Sequence, residues 1–127
     1  MRRQSVVLVL LAALVSCGRD RPPSARLPEP PPPTPTVLLA GDSLYVAHCQ
    51  TCHGKYALGT DHGPPLLHAI YAPGHHADVA FLLAVKNGVR AHHWTFGNMP
   101  ALPAVDEGQV TNIVAYVRWL QLQAGIQ

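Results

Sequence analysis

The chain has 127 residues, 48% hydrophobic and 13% charged, with a formal net charge of +2. That length accommodates one domain and little more. The isoelectric point of 8.6 comes mainly from arginines near the start. From residue 37 onward four basic side chains face five acidic ones, which excludes the basic patch of a nucleic-acid binder.

Arg2 and Arg3 precede an apolar run over residues 6–15. The run is too short to cross a bilayer, which takes about 20 residues. It reads as an export signal over residues 1–16. Leu14-Val15-Ser16-Cys17 resembles the bacterial lipobox, in which the cysteine is lipidated and becomes the first mature residue. Cys17 is therefore the expected lipid anchor, and the mature chain is expected in the periplasm or on the outer face of a bacterial membrane. The plainer alternative, an ordinary signal peptide followed by a stray cysteine, leaves an odd thiol in an oxidising compartment.

Residues 22–36 contain eight prolines. Fixed φ angles and missing backbone donors keep such a stretch out of a packed core and favour a polyproline II spacer. Residues 17–36 are read as a tether reaching about 60 Å, and residues 37–127 as the domain.

A first helix is expected from Asp42 or Ser43, with Leu44, Tyr45, His48 and Cys49 towards one face. Glycines and prolines make residues 54–76 a loop, with one helical turn near 66–70. A second helix spans about 77–87, with Phe81, Leu82 and Val85 on one side and Gly88 at a left-handed end. Residues 89–104 are again loop. Asp106 and Gln109 form a capping-box pattern ahead of Val110, Ile113, Val114, Val117 and Leu120 at helical spacing, and Gly125 closes the last helix. No segment alternates with period two, so the expected class is all-α.

Cys49-Gln50-Thr51-Cys52-His53 is a C-x-x-C-H sequence, the attachment pattern of a covalent haem c. Cys49 and Cys52 supply two thioethers, and His53 is directed at the iron from the same side. A zinc site needs a second ligand pair, a thioredoxin-like dithiol needs a βαβ context, and a Cys49–Cys52 disulfide leaves His53 unexplained.

A sixth iron ligand separates an electron carrier from a reactive centre. Met99 is the only methionine after the signal. It lies in a loop with Gly97 before it and Pro100 after it, where a long thioether can be aimed at a metal. Core filling is the commoner role for methionine, and His92 or His93, in the same loop, is the alternative ligand. The remaining histidines, His48, His62, His68, His75 and His76, read as solvated loop residues, with surface binding of a transition metal as a second possibility. Trp94 reads as a haem-edge or propionate contact.

Over residues 37–127 the chain resembles a class I c-type cytochrome. The resemblance rests on Gly41 to Tyr45 with the Cys49–His53 motif, Gly63-Pro64-Pro65-Leu66, Asn87-Gly88-Val89, Met99-Pro100-Ala101-Leu102, and Ile113 to Arg118. It implies a small fold of three main helices with long loops wrapped around one haem. It implies that the Pro64 carbonyl accepts the His53 imidazole N–H, that Leu66 packs on the haem face, and that His53 and Met99 are the axial ligands. The implied function is single-electron transfer between redox protein partners, with no substrate at the iron and no catalysis by the chain itself. Two other readings stay open: an electron-transfer subunit of a periplasmic dehydrogenase, oxidase or copper enzyme, and a haem-based gas sensor.

Overall fold

The computed structural model describes residues 26–27 and 31–127. The expected export signal, Cys17 and much of the proline-rich segment lie outside the described residues.

The frame consists of α1 (Leu39–His48), α2 (Gln50–His53), α3 (Asp78–Asn87) and α4 (Glu107–Gln123). Single 3₁₀ turns occupy Thr36–Leu38, Lys55–Ala57 and Ala69–Tyr71. No strand occurs among the described residues, where Val89 and Met99 form one isolated antiparallel bridge. The all-α expectation holds. None of the described helices is long and apolar enough to cross a membrane.

The capping box at the start of α4 is fully formed. Asp106 Oδ1 accepts the Gln109 N–H at 2.9 Å, and Gln109 Oε1 accepts the Asp106 N–H at 3.0 Å. The apolar stripe read from spacing is the buried one: Val110, Ile113, Val114, Val117 and Leu120 are each at most 6% exposed.

Helix α1 starts earlier than the Asp42 or Ser43 expected, because the 3₁₀ turn feeds directly into Leu39 and Ala40, both good helix formers. Asp42 thus sits in the first turn, where a carboxylate complements the helix dipole. Its Oδ2 also accepts the Thr34 hydroxyl at 3.0 Å, which ties the end of the proline-rich segment to the domain. The tightest helix crossing is between α1 and α4. A Cβ on Gly41 would run into the Asn112 carbonyl, so the backbones approach there as only glycine permits. Beside this crossing, the fully buried Tyr45 ring lies 5.6 Å from that of Tyr116. The Tyr45 hydroxyl donates to the Gly54 carbonyl at 2.8 Å.

Helix α3 runs slightly shorter than expected and ends as foreseen at Gly88, with φ +74°. The expected turn near 66–70 forms slightly later, at Ala69–Tyr71, where His68 Nδ1 accepts the Ile70 N–H at 3.2 Å. Helix α4 holds this loop through Arg118 and Gln121. Arg118 donates to the carbonyls of Tyr71 at 2.6 Å and His76 at 2.5 Å, and to Asp78 Oδ1 at 2.8 Å. Buried Gln121 donates to the Leu66 and Tyr71 carbonyls at 2.9 and 3.0 Å.

Candidate functional site

Cys49, Cys52 and His53 are at positions i, i+3 and i+4 of nearly continuous helix, and such positions share one face. The backbone bonds Cys52 N–H to Cys49 O at 3.2 Å and His53 N–H to Cys49 O at 2.9 Å carry the turn through the junction of α1 and α2. The loop that follows is fastened back onto the motif. Gly59 N–H donates to His53 O at 2.7 Å, and the Thr60 hydroxyl donates to Cys52 O at 2.5 Å.

His53 Nδ1 lies 2.9 Å from the Pro64 carbonyl oxygen. A carbonyl can only accept, so Nδ1 carries the proton and Nε2 keeps a free lone pair. Burial lowers the His53 pKa, and the bond to Pro64 opposes that shift. The neutral imidazole is the form that ligates a metal. Both cysteines of the motif are free thiols here and stand for the sulfurs of the thioethers. Burial, followed by the neighbouring Cys52, pushes the Cys49 thiol up to about 11.

Met99 is half-buried and its backbone is fixed. Val89 N–H donates to Met99 O at 2.9 Å, and Met99 N–H donates to Val89 O at 3.0 Å. Gly88 makes this possible, since its positive φ is combined with a close approach in which a Cβ would sit 2.7 Å from the Met99 oxygen. Leu102 N–H then donates to Val85 O at 2.8 Å, which secures the loop to α3. A methionine in an expected loop is therefore held by a two-residue ladder.

Cys49, Cys52, His53, Pro64, Leu66 and Met99 all line one predominantly apolar cleft of about 450 Å³. Phe81, Val85, Ile113 and Val114 belong to its apolar lining. Trp94 also lines the cleft, but its indole N–H is given to the Tyr71 hydroxyl at 3.0 Å. In this arrangement the indole packs against the cleft and is not available as a donor to a propionate. Burial raises the Tyr71 pKa, with the Trp94 hydrogen bond opposing. His92 and His93 reach the same cleft, and their rings cluster with those of His75 and His76.

Two residues central to this architecture were not singled out from the sequence. Arg118 and Gln121 build the wall behind Leu66 and Tyr71 from α4. The available signal was Gln121, a polar residue four positions after Val117 on an otherwise apolar face.

The donor set fits a covalently held iron macrocycle. Two sulfurs and an imidazole come from one turn, a thioether residue lines the same cleft, and the imidazole Nδ1 is already occupied by the Pro64 carbonyl. The family model for Cytochrome c matches residues 38–121 of the chain. The chain belongs to the cytochrome c family. Searches of curated proteins and of solved structures returned no match. As a cytochrome c, the protein binds one covalent haem c and is an electron-transfer protein with redox partners.

Proposed function

We propose that this cytochrome is a one-electron carrier in which His53 and Met99 would both ligate the haem iron, working outside the cytoplasm and tethered to a membrane through lipidated Cys17. The observation that carries the reading is the shared cleft, with Cys49, Cys52 and His53 contributed by one helical turn and Met99 by the Val89-bridged loop.

Each residue then has a defined task. Cys49 and Cys52 would anchor the group covalently. His53 would ligate through Nε2, while Pro64 fixes the ring and raises its basicity. Met99 would supply a soft thioether, a donor that favours the reduced metal and raises the reduction potential. Leu66, Phe81 and Val114 exclude water. When bound, the haem supplies a one-electron couple at its iron. A fixed ligand pair within an apolar lining leaves little to rearrange on transfer. Exposed Cys52 marks the edge nearest solvent, where a redox partner would dock through a small, transient interface.

Optical spectroscopy on the haem-loaded protein tests the ligand set. The expected result is a reduced spectrum of the two-thioether type and a weak near-infrared sulfur-to-iron band in the oxidised state. An oxidised iron with two nitrogen ligands or an open position would overturn it. For the anchor, membrane fractionation of wild type against Cys17→Ser is decisive. Release of the variant into the soluble periplasmic fraction is expected, and an unchanged distribution would refute the tether.

A further inference from the structure

Four histidines gather where the loop before α3 meets the loop before Met99. The His92 and His93 ring centroids are 4.2 Å apart, those of His75 and His76 4.9 Å, and those of His76 and His93 5.3 Å. Within this group His75, His76 and His93 each offer a ring nitrogen, and the three nitrogens lie within 4.8 Å of one another. In a tetrahedral zinc site with bonds near 2.0–2.1 Å, ligand nitrogens are about 3.4 Å apart. His75 and His93 are exposed, so modest ring rotations cover the difference.

His76 is already prepared as a ligand. Its Nδ1 lies 2.6 Å from the Ile70 carbonyl, which must accept, so the proton sits on Nδ1 and Nε2 is left to ligate. A carbonyl-bound second nitrogen is the usual support of a metal-ligating histidine. The backbone is fixed as well. His76 N–H donates to Ala72 O at 2.9 Å, and its own carbonyl takes the Arg118 guanidinium at 2.5 Å.

We propose that His75, His76 and His93 form a second metal site, distinct from the haem iron, that binds one divalent transition-metal ion through three imidazoles. Imidazole donors suit zinc and copper, not magnesium or calcium. Three protein ligands leave a position for water or a further donor, as in open zinc sites. The ion joins two loops, since His75 and His76 precede α3 while His93 leads towards Met99. His76 and His93 also line the haem cleft, so the ion sits at its rim.

Calorimetric titration of the haem-loaded protein with zinc chloride tests the site, with a parallel arm in which cupric ion is followed by electron paramagnetic resonance. One ion per chain is expected, with nitrogen hyperfine structure in the copper spectrum. His75→Ala and His93→Ala should each weaken binding at least tenfold. His48→Ala and His62→Ala, which alter exposed histidines outside the cluster, should leave it unchanged. His75 does not line the cleft, so its variant should keep the wild-type visible spectrum, which separates this site from the haem assignment. Binding of only one of the two metals would assign the site to that metal. Absence of stoichiometric binding in both arms, or affinity that survives the His75→Ala/His93→Ala double substitution, would overturn the proposal.

Discussion

Gly41 on α1 lies against the Asn112 carbonyl on α4, with no room between them for a Cβ. The two helices meet backbone to backbone, and α1 runs from this crossing to His48, just before Cys49 begins the haem-binding turn. Replacing Gly41 by Ala forces the helices apart near Tyr45 and Tyr116. Overpacking of this kind costs about 1–3 kcal/mol, opposed by a smaller gain from alanine's better helix propensity. We expect a lower denaturant midpoint for the haem-loaded variant with an unchanged slope. A midpoint equal to wild type would show that the crossing has slack.

Met99 governs access to the iron in the proposed ligand set. Met99→Ala removes the thioether but leaves the Val89 bridge, which uses only backbone atoms. The variant should lose the near-infrared sulfur band, bind carbon monoxide rapidly when reduced, and show a lower reduction potential. His92→Ala and His93→Ala should keep the band. If wild type lacks the band, and a histidine variant rather than Met99→Ala opens the iron to carbon monoxide, the ligand assignment passes to nitrogen.

Much of this fold was legible because local rules and packing agreed. The α4 stripe and its capping box are short-range patterns, and both formed as read. The Cys49–His53 spacing likewise specifies its own geometry, since i, i+3 and i+4 coincide on a helix whatever surrounds them. What sequence could not supply is contact across many residues. Arg118 reaches Tyr71 over 47 positions, and Gln121 reaches Leu66 over 55, so no local pattern announces either. The start of α1 was misplaced because Asp42 has the chemistry of a cap, yet its carboxylate serves Thr34 from inside the first turn. His75 and His76 read as solvated loop residues and His93 as an alternative iron ligand; that two loops bring the three together is a contact no local pattern announces.

The Arg118 clamp should carry far more stability than its visible ion pair suggests. The Asp78 side chain is 71% exposed against 14% for Arg118, and an exposed partner contributes roughly 0–1 kcal/mol. The His76 carbonyl and the Oε1 of buried Gln121, by contrast, lose this donor if Arg118 is removed, while the Tyr71 carbonyl keeps the Gln121 amide; an unmet buried group costs about 1–3 kcal/mol. Arg118 also lies 4.9 Å over the Phe81 ring. We therefore expect Arg118→Met to destabilise the protein by about 2–3 kcal/mol and to speed amide exchange across residues 69–77. Asp78→Ala should cost less than about 1 kcal/mol. Equal losses for the two variants would place the energy in the ion pair instead.

Tyr45 gives the protein an alkaline limit. Burial raises its phenol far above the ordinary value of 10.0, and that cause persists after Cys49 becomes an uncharged thioether. Tyr116 is shifted the same way by burial, with Asp42 adding to it. In the unfolded chain both phenols ionise near their ordinary value, while in the folded chain they stay protonated. Above that pH the unfolded state therefore binds fewer protons, and stability falls as pH rises. It is fully present below about pH 10. For Tyr45 alone the slope approaches about 1.4 kcal/mol per pH unit. Denaturant unfolding between pH 8 and 11 should show a flat region followed by this decline. Tyr45→Phe should lower stability at pH 8, through loss of the bond to the Gly54 carbonyl, yet reduce the alkaline slope. A slope unchanged in the variant would mean that another group sets the limit.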